Sequence, residues 1–266
     1  MTAADLRAML VAAQVTHAPG VYDPATAALA VQAGHRAVHL SAAAISISML
    51  GRPDLSLVPA TQIADRAAVL LPALGGVPLL ADAATGYDSP EQAVWTALSY
   101  QRAGISGIRL ADDEDAGLAA ARIAALAEQA PAVMLIAQAA GIGLTETVER
   151  ARAYAAAGAD AVLVTEDDLA RLHGELPGVP LVVSRSETAP GGSRRTDADL
   201  ADLGVRLVLH PLTAVLAALR AASLAYGAIA TEGHAMRVDR LPLAVLTTLI
   251  ESAKAPDRPE FDSIDT

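Results

Sequence analysis

Short apolar segments alternate with alanine-rich stretches along most of the chain. The segments lack a strict alternation of polar and apolar residues, which is typical of parallel strands that helices cover. We predict strands at residues 15–18, 37–41, 77–81, 107–110, 133–137, 161–164, 181–183 and 206–209. Helix starts are indicated where Asp23 and Ser89 each precede a proline, because a capping side chain followed by proline favours the first helical turn.

Eight strands with intervening helices in about 250 residues predict an α/β fold, a (β/α)8 TIM barrel. A doubly wound open sheet is the alternative, but no G-x-G-x-x-G follows the first predicted strand, which weakens a dinucleotide-binding interpretation. Residues 1–254 are predicted to form one domain, which includes helices at 1–10, 212–226 and 241–254. The last helix packs either on a neighbouring subunit or on its own barrel. Residues 255–266 are predicted to be a mobile acidic tail.

Charge and composition narrow the classes of protein that fit this pattern. The 266 residues include 30 acidic and 19 basic side chains, a net charge of −11, which argues against binding to nucleic acid. The chain has no cysteine, which excludes disulfides, thiolate zinc sites and a cysteine nucleophile. We find neither a signal peptide nor the roughly 20 uninterrupted apolar residues of a membrane span. A cytoplasmic protein with no membrane partner is therefore expected.

Several predicted strand ends carry motifs that occur together in one superfamily. They are PGVYD at 19–23, HLS at 39–41, LGRPD at 50–54, DAATGY at 82–87, AAAGAD at 155–160 and LGVRLV at 203–208. In order and spacing they resemble the isocitrate lyase/phosphoenolpyruvate mutase superfamily, in particular its short, 2-methylisocitrate lyase-like members.

The resemblance implies a mechanism and an assembly. Members bind a small 2-oxo or 2-hydroxy dicarboxylate through Mg²⁺, which strand-end carboxylates hold, and the metal stabilises an enolate while a C–C or C–P bond breaks. Members also form dimers of dimers in which a C-terminal helix packs on the partner's barrel. A homo-oligomer, either a dimer or a tetramer, is therefore expected here.

The chain departs from the superfamily pattern at several positions. Ala84 and Ala111 stand where carboxylates are usual, and Gln138 stands where an arginine grips a substrate carboxylate. The loop that delivers the catalytic cysteine of the lyases is missing. If a metal were retained, Asp82 and Asp112 would hold it; with so few carboxylates left we expect no cofactor and weak or absent Mg²⁺ binding.

Three residues are candidates for catalysis: Asp82, Arg109 and His210. Because side chains alternate along a strand, Arg109 shares the inward face of position 111, where it would supply the positive charge that the metal once supplied. The alternative is that Arg109 only pairs with Asp82 or Asp112 to hold the barrel rim together. Asp82 is the leading general acid or base, and His210 is either a second proton carrier or a structural histidine. The other histidines, His39 among them, are interpreted mainly as structural or exposed.

A second group of residues is predicted to bind the substrate. The group consists of Tyr22, Ser41, Asp54, Gln138, Ser184, Ser186 and Arg194. For some of them a structural role is an equal alternative: Ser41 would cap a helix, Tyr22 would pack in the core, and Asp54 would stabilise a turn. Arg194 lies in a basic loop that would either attract an anionic substrate or be a solvated loop.

Two hypotheses about function follow. The first is a divergent enzyme that performs C–C lyase or enolate chemistry on a small carboxylate or 2-oxo acid with little or no metal dependence, repurposed in the manner of a metal-free lyase, isomerase or cyclase. The second is a non-catalytic member that binds a metabolite or serves as an assembly partner. A charged pocket at the strand ends favours the first hypothesis, whereas an apolar or filled barrel mouth favours the second.

Overall fold

A closed parallel barrel is the centre of the computed structural model, which describes residues 2–52, 58–112, 115–141, 143–167, 169–185 and 195–253. Its eight strands follow one another around the barrel in chain order, and the first strand also pairs with the last. The strands are β1 Thr16–Val21, β2 Val38–Leu40, β3 Leu79–Asp82, β4 Gly107–Leu110, β5 Met134–Gln138, β6 Ala161–Val164, β7 Leu181–Ser184 and β8 Val205–His210. The predicted (β/α)8 barrel is confirmed, and the open sheet is excluded.

Helices surround the barrel. They are α1 Ala3–Val11, α2 Pro24–Gln32, α3 Ala42–Leu50, α4 Ala60–Leu70, α5 Pro90–Arg102, α6 Ala116–Gln129, α7 Leu144–Ala156, α8 Leu169–Glu175, α9 Asp197–Asp202, α10 Thr213–Glu232 and α11 Leu243–Ala253, with a 3-10 turn at Leu71–Ala73. The predicted caps are confirmed, because the side chains of Asp23 and Ser89 accept hydrogen bonds from the first turns of α2 and α5.

Strand β1 extends farther than the sequence predicted. The prediction ended it at Ala18 because Pro19 and Gly20 are typical of a turn. In the structure Gly20 pairs with His39 in the neighbouring strand. A Cβ atom at Gly20 would lie 2.4 Å from the carbonyl oxygen of Pro211, so the glycine serves a close backbone approach rather than a turn.

Helix α1 seals the N-terminal end of the barrel. Its buried residues Leu6 and Met9 pack against inward-facing strand residues such as Leu80 and Leu207. Arg7 anchors the helix, because its guanidinium bonds both carboxylate oxygens of Asp160, at 2.7 and 3.0 Å. The lower barrel interior is therefore apolar and closed, and polar inward-facing groups lie at the C-terminal ends of the strands.

Helix α10 projects its apolar residues into solvent. It has 20 residues with a mean hydropathy of 1.5 over its apolar window, of which 6% is buried. By length and composition it could cross a membrane, although Arg220 interrupts its apolar residues, so it is not the uninterrupted apolar run that the sequence analysis looked for. The prediction ended this helix at Tyr226 rather than Glu232, because a glycine and a polar stretch follow.

Helix α11 lies against α2 and the 3-10 turn of its own chain. Leu249 is buried there, whereas Leu243 and Val245 remain exposed. Packing on its own barrel, one of the two predicted alternatives, is thus observed for part of this helix. The predicted acidic tail lies outside the described residues.

The seal formed by α1 can be tested by truncating one side chain. Leu6 is 1% exposed, so Leu6→Ala should lower the free energy of unfolding by about 2–4 kcal/mol because it leaves a cavity. Val11 on the same helix is 83% exposed, and Val11→Ala should change stability by about 0.5 kcal/mol or less. Urea unfolding midpoints of the two variants measure the difference. Equal midpoints would contradict the role of α1 as a packed seal.

Candidate functional site

Asp82 is the centre of a polar cluster at the C-terminal ends of β2 to β5. Its carboxylate is 3% exposed and accepts three hydrogen bonds. Oδ1 accepts from Arg109 Nε at 2.6 Å and lies 3.0 Å from His39 Nε2. Oδ2 accepts from the backbone N–H of Ala42 at 2.9 Å. The Tyr100 hydroxyl donates to the backbone carbonyl of Asp82 at 3.1 Å, so the strand end is held as well as the side chain.

Arg109 faces inward, as strand alternation predicts. Its neighbours Ile108 and Leu110 belong to the outer core between sheet and helices, and its guanidinium, 13% exposed, pairs with Asp82 rather than Asp112. Arg109 Nη1 also donates to the Gln138 side-chain oxygen at 2.6 Å. Nε and Nη1 of Arg109 are thereby fixed. These two bonds also set the direction of the third nitrogen, Nη2.

The protonation state of Asp82 follows from its surroundings. Burial raises the pKa of Asp82, but the charges of Arg109 and His39 and their hydrogen bonds to the carboxylate outweigh burial and hold the pKa well below its ordinary value. A carboxylate held ionised in this way is neither a general acid nor an effective general base near neutral pH. The structure therefore disfavours the predicted proton-transfer role of Asp82 and favours a role in holding Arg109.

A cavity of about 190 Å³ opens beside Asp82 and Arg109. The hydroxyl-bearing residues Thr85 and Tyr87 contribute to its wall. The other wall residues are small or apolar: Ala42, Val58, Ile63, Ala84 and Ala111. Since a water molecule takes up about 30 Å³ in the liquid, the cavity suits a small molecule with one charged group and a short apolar part.

The loop after β3 has a strained backbone beside this cavity. Ala84 and Tyr87 have φ angles of +46° and +64°, which residues with a Cβ atom rarely adopt. The N–H of Ala111 donates to the carbonyl of Ala84 at 2.6 Å. This hydrogen bond joins the loop to the end of β4. Its two partners, Ala84 and Ala111, stand at the positions where the resemblance implies carboxylates.

Mg²⁺ would need oxygen ligands that this cluster does not offer. Both Asp82 oxygens already accept hydrogen bonds, and the guanidinium of Arg109 would repel a dication at the same place. Ala84 and Ala111 provide no side-chain oxygen. Among the described residues, no group of three or more potential metal-ligating side chains is found. The side chains of this cluster, among the described residues, therefore do not fit the metal that the superfamily implies.

Asp112 lies apart from the cluster. Its carboxylate pairs with Arg150 of α7 at 3.0 Å and accepts hydrogen bonds from the Tyr154 hydroxyl and the Ala140 N–H, both at 2.5 Å. Burial and the hydrogen bond to Asp112 raise the pKa of Tyr154 to about 12. Asp112 thus fastens the end of β4 to α7, and the suggestion that it would share a metal with Asp82 stays a prediction.

His210 is also separate from Asp82, contrary to the prediction that it belongs to the catalytic group. Leu207 and Leu209 of β8 face the barrel interior, so His210 faces outward. Its Nε2 lies 2.9 Å from His17 Nδ1, and His17 Nε2 lies 3.0 Å from Asp197 of α9. This line of polar groups joins β8, β1 and α9 on the outside of the barrel wall.

The predicted substrate-binding residues are only partly brought together. Gln138 contacts Arg109, and Ser41 is buried next to Ala42, where its side chain accepts a hydrogen bond from Ala44 N–H and caps α3. Tyr22 follows β1 and Ser184 ends β7, and hydrogen bonds among the described residues do not join their side chains to the cluster. The remaining three predicted residues lie outside the described residues: Asp54, Ser186 and Arg194.

His39 is the cluster member that sequence reasoning missed. It was interpreted as structural, yet it contacts Asp82 directly. A signal was available, because a polar residue stands between the apolar residues Val38 and Leu40 in a short strand. Alternation places such a residue inward when both neighbours face the helices.

Comparisons with known proteins cover nearly the whole barrel. A family model described as phosphoenolpyruvate phosphomutase matches residues 6–230. The 2-methylisocitrate lyase of Bacillus subtilis (strain 168) is 29% identical over 248 residues, 85% of this chain and 81% of that protein. The structure of phosphoenolpyruvate phosphomutase from Streptomyces platensis subsp. rosaceus is 28% identical, with a TM-score of 0.84 over 95% of this chain and 96% of that chain. A phosphonopyruvate hydrolase solved with oxalate and Mg²⁺ is 29% identical, with a TM-score of 0.83 over 95% of each chain.

The ion pair of Asp82 predicts a pH-dependent stability. Asp82→Asn leaves the Arg109 charge buried without its partner, so the free energy of unfolding should fall by about 3–5 kcal/mol at pH 7. Because the folded pKa of Asp82 lies below its ordinary value of 3.8, its contribution is complete above that value and is lost as the pH falls below it. The difference between wild type and variant should therefore shrink by about 1 kcal/mol at pH 3.

Urea unfolding at the two pH values measures this difference. The exposed Asp88 provides the matched control, since Asp88→Asn should change stability by about 0.5 kcal/mol or less. A difference for Asp82→Asn that stays constant between pH 7 and pH 3 would show that Asp82 does not carry the stabilising charge.

Proposed function

The chain belongs to the phosphoenolpyruvate phosphomutase family of the isocitrate lyase/phosphoenolpyruvate mutase superfamily, and from this premise we propose that Arg109 stabilises an enolate during cleavage of a small carboxylate or 2-oxo acid. The relatives are lyases and mutases that act on small carboxylates, which supports a carbon–carbon lyase-type enzyme. The finer assignment of the reaction rests on the geometry around Arg109.

One observation carries this proposal: a guanidinium is held rigidly at the wall of the cavity. Asp82 and Gln138 fix two of its nitrogens, and its remaining edge is available to an anion. In an enolate, negative charge moves to the former carbonyl oxygen, and a fixed donor in a partly dry site stabilises that charge without reorganisation. Arg109 is thus the residue that would take over the charge-stabilising task of the metal.

The reaction class follows from the same charge distribution. In a retro-aldol cleavage the electrons of the breaking C–C bond move to the carbonyl oxygen, and a second carbonyl compound leaves. The substrate hydroxyl gives its proton to water as the new carbonyl forms, and the enolate carbon takes up a proton from water, so that all atoms are accounted for. Arg109 would act after the C–C bond has broken and before the enolate carbon is protonated, when the enolate oxygen bears its full negative charge.

The surroundings of Arg109 limit the substrate. The oxygen of Gln138 already accepts a hydrogen bond from Arg109, and a neutral amide binds a carboxylate more weakly than a guanidinium does. Apart from Asp82, Arg109 and the hydroxyl-bearing residues Thr85 and Tyr87, the cavity wall is small and apolar. We therefore propose a monocarboxylate or another substrate of low charge rather than methylisocitrate or isocitrate.

We also propose that the reaction does not depend on Mg²⁺. The support is that Asp82 is committed to three donors and that Asp112 is committed to α7. The protein would then use its own cation in place of an inorganic one.

A non-catalytic, metabolite-binding role is the second candidate. The observation that favours it is that both Asp82 oxygens already accept hydrogen bonds, so the cluster provides an anion-binding cation but no free proton carrier at Asp82. A protein of this kind would bind an enolate-like anion without turning it over.

The exposed face of α10 supports a proposal about assembly. Tyr226 and Ile229 are exposed on this helix and Val215 near its start is buried, and contiguous apolar patches of this kind are unusual on monomers. The net charge of −11 disfavours an anionic lipid surface as the partner. We propose that a second copy of the chain covers this face, giving a dimer or a tetramer in the cytoplasm.

Binding of oxalate, which resembles the enolate of pyruvate in charge and shape, tests the anion site. Wild type should bind oxalate with the same affinity in Mg²⁺ and in EDTA, and Arg109→Met should lower the affinity roughly 10-fold or more because a charged hydrogen bond is lost. Arg36→Met, which removes an exposed arginine, is the control and should bind as wild type does. Isothermal titration calorimetry gives the affinities. Binding that requires Mg²⁺ would contradict the metal-independent site.

Hydrogen exchange distinguishes the two candidate functions. If the protein stabilises enolates, it should accelerate exchange of the C3 protons of pyruvate or 2-oxobutyrate in D₂O, and Arg109→Met should slow this exchange by about 10²-fold. Proton NMR measures the exchange. Oxalate binding without any acceleration of exchange would favour the non-catalytic candidate.

Light scattering tests the assembly. Wild type should be a dimer or tetramer at micromolar concentration, and Ile229→Glu should shift it toward monomer because a charge is placed in an apolar contact. Arg240→Glu changes an exposed residue beyond α10 and should leave the mass unchanged. A monomeric wild type would refute the proposed contact.

A further inference from the structure

His39 is a buried polar residue in the middle of the three-residue strand β2. It is 2% exposed, and a buried imidazole costs free energy unless its polar atoms are hydrogen-bonded. Its Nε2 lies 3.0 Å from Asp82 Oδ1. Among the described residues, Nδ1 finds no hydrogen-bond partner. The contact with Asp82 is therefore the polar bond that holds this ring.

The contact makes His39 the first member of a line of polar side chains across four neighbouring strands. His39 of β2 bonds Asp82 of β3, Asp82 bonds Arg109 of β4, and Arg109 bonds Gln138 of β5. The Asp82 oxygen is an acceptor, so Nε2 of His39 carries the proton in this bond. His39 and Arg109 donate to the same oxygen atom.

The shared oxygen couples the two donors. A carboxylate can rotate about its Cβ–Cγ bond, and three donors from three directions restrict that rotation more than two would. The N–H of Ala42 holds Oδ2, and His39 approaches Oδ1 from the side of β2. Removing the His39 donor leaves Oδ1 bonded to Arg109 alone. The Asp82 carboxylate and the Arg109 guanidinium could then move together.

We propose that His39 is a positioning residue that acts on Arg109 through Asp82. It orients the Asp82 carboxylate, the carboxylate orients the Arg109 guanidinium, and the remaining guanidinium edge is thereby aimed at the place where an anion would bind in the cavity. The inference rests on the proposed function, because the benefit of aiming Arg109 lies in enolate binding. It assigns a role to a histidine that the sequence analysis interpreted as structural.

Two replacements of His39 separate the donor from the volume of the ring. His39→Gln retains an N–H near the position of Nε2, whereas His39→Leu fills a similar space without a donor. His39→Met is a second apolar replacement, to be used if the leucine variant does not fold. His35→Leu changes a histidine just before β2 that makes no described side-chain contact with the cluster, and it serves as the control.

The first readout is the Nε–H signal of Arg109 in ¹⁵N–¹H NMR spectra, identified by its loss in Arg109→Met. The signal should exchange slowly with water in wild type, His35→Leu and His39→Gln, and at least about 10-fold faster in His39→Leu or His39→Met, because the bond from Nε to Asp82 is less well held. A signal as slow in the apolar variants as in wild type would overturn the proposal.

The second readout is oxalate affinity by calorimetry. His39→Gln should stay within about threefold of wild type and the apolar variants should bind roughly 10-fold more weakly, while unfolding midpoints confirm that each variant is folded. Equal affinity in all His39 variants would overturn the proposal. If wild type itself binds no oxalate, the proposed function is contradicted, and the Arg109 exchange rate alone still decides whether His39 positions the guanidinium.

Discussion

The ion pair between Asp82 and Arg109 is the interaction on which the upper part of the barrel depends. Two opposite charges are withdrawn from water inside a ring of strands, and such burial is tolerable only when the partners touch and their remaining bonding capacity is used. Asp82 meets this condition through His39, Ala42 and Arg109, and Arg109 meets part of it through Gln138. What remains of the guanidinium is available to a ligand.

The scaffold explains why this pair can exist at one end of the barrel only. Leu6 and its neighbours on α1 close the lower end with apolar contacts. Asp82 and Arg109 are register partners on adjacent strands, so their inward side chains meet without any contribution from a loop. Rigid strands thus hold the charged pair, while the loops after them shape the cavity. This division is the usual one in barrels of this type.

The proposed exchange of a metal for an arginine would change what the site can recognise. A dication accepts oxygen ligands from several directions and tolerates a doubly charged substrate. The guanidinium of Arg109 is planar, singly charged and already balanced by Asp82. Together with the small apolar residues Ala84 and Ala111 at the cavity wall, it would favour ligands with little charge under the proposed function. Under this proposal the two alanines and the arginine are related departures from the superfamily pattern.

The sequence by itself determined the barrel, the helix caps and the inward direction of Arg109, because strand periodicity and capping chemistry are local properties. It also showed that a neutral amide, Gln138, stands where the superfamily has an arginine. It did not show that this amide would accept a hydrogen bond from Arg109. The role of His39 could have been suspected from its place between two apolar strand residues. Its partner could not, because strand pairing brings together residues that are far apart in the chain.

Only the tertiary structure decided where His210 and Asp112 lie and which groups donate hydrogen bonds to Asp82. His210 ends a strand, and its outward direction follows from the register of Leu209 inside the barrel. Asp112 follows a strand end, where alternation no longer applies, and Arg150 and Tyr154 of a distant helix capture it. The physical reason is the same in each case: a side chain's face is set locally within a strand, whereas its charge partner is set by which elements the closed barrel places beside it.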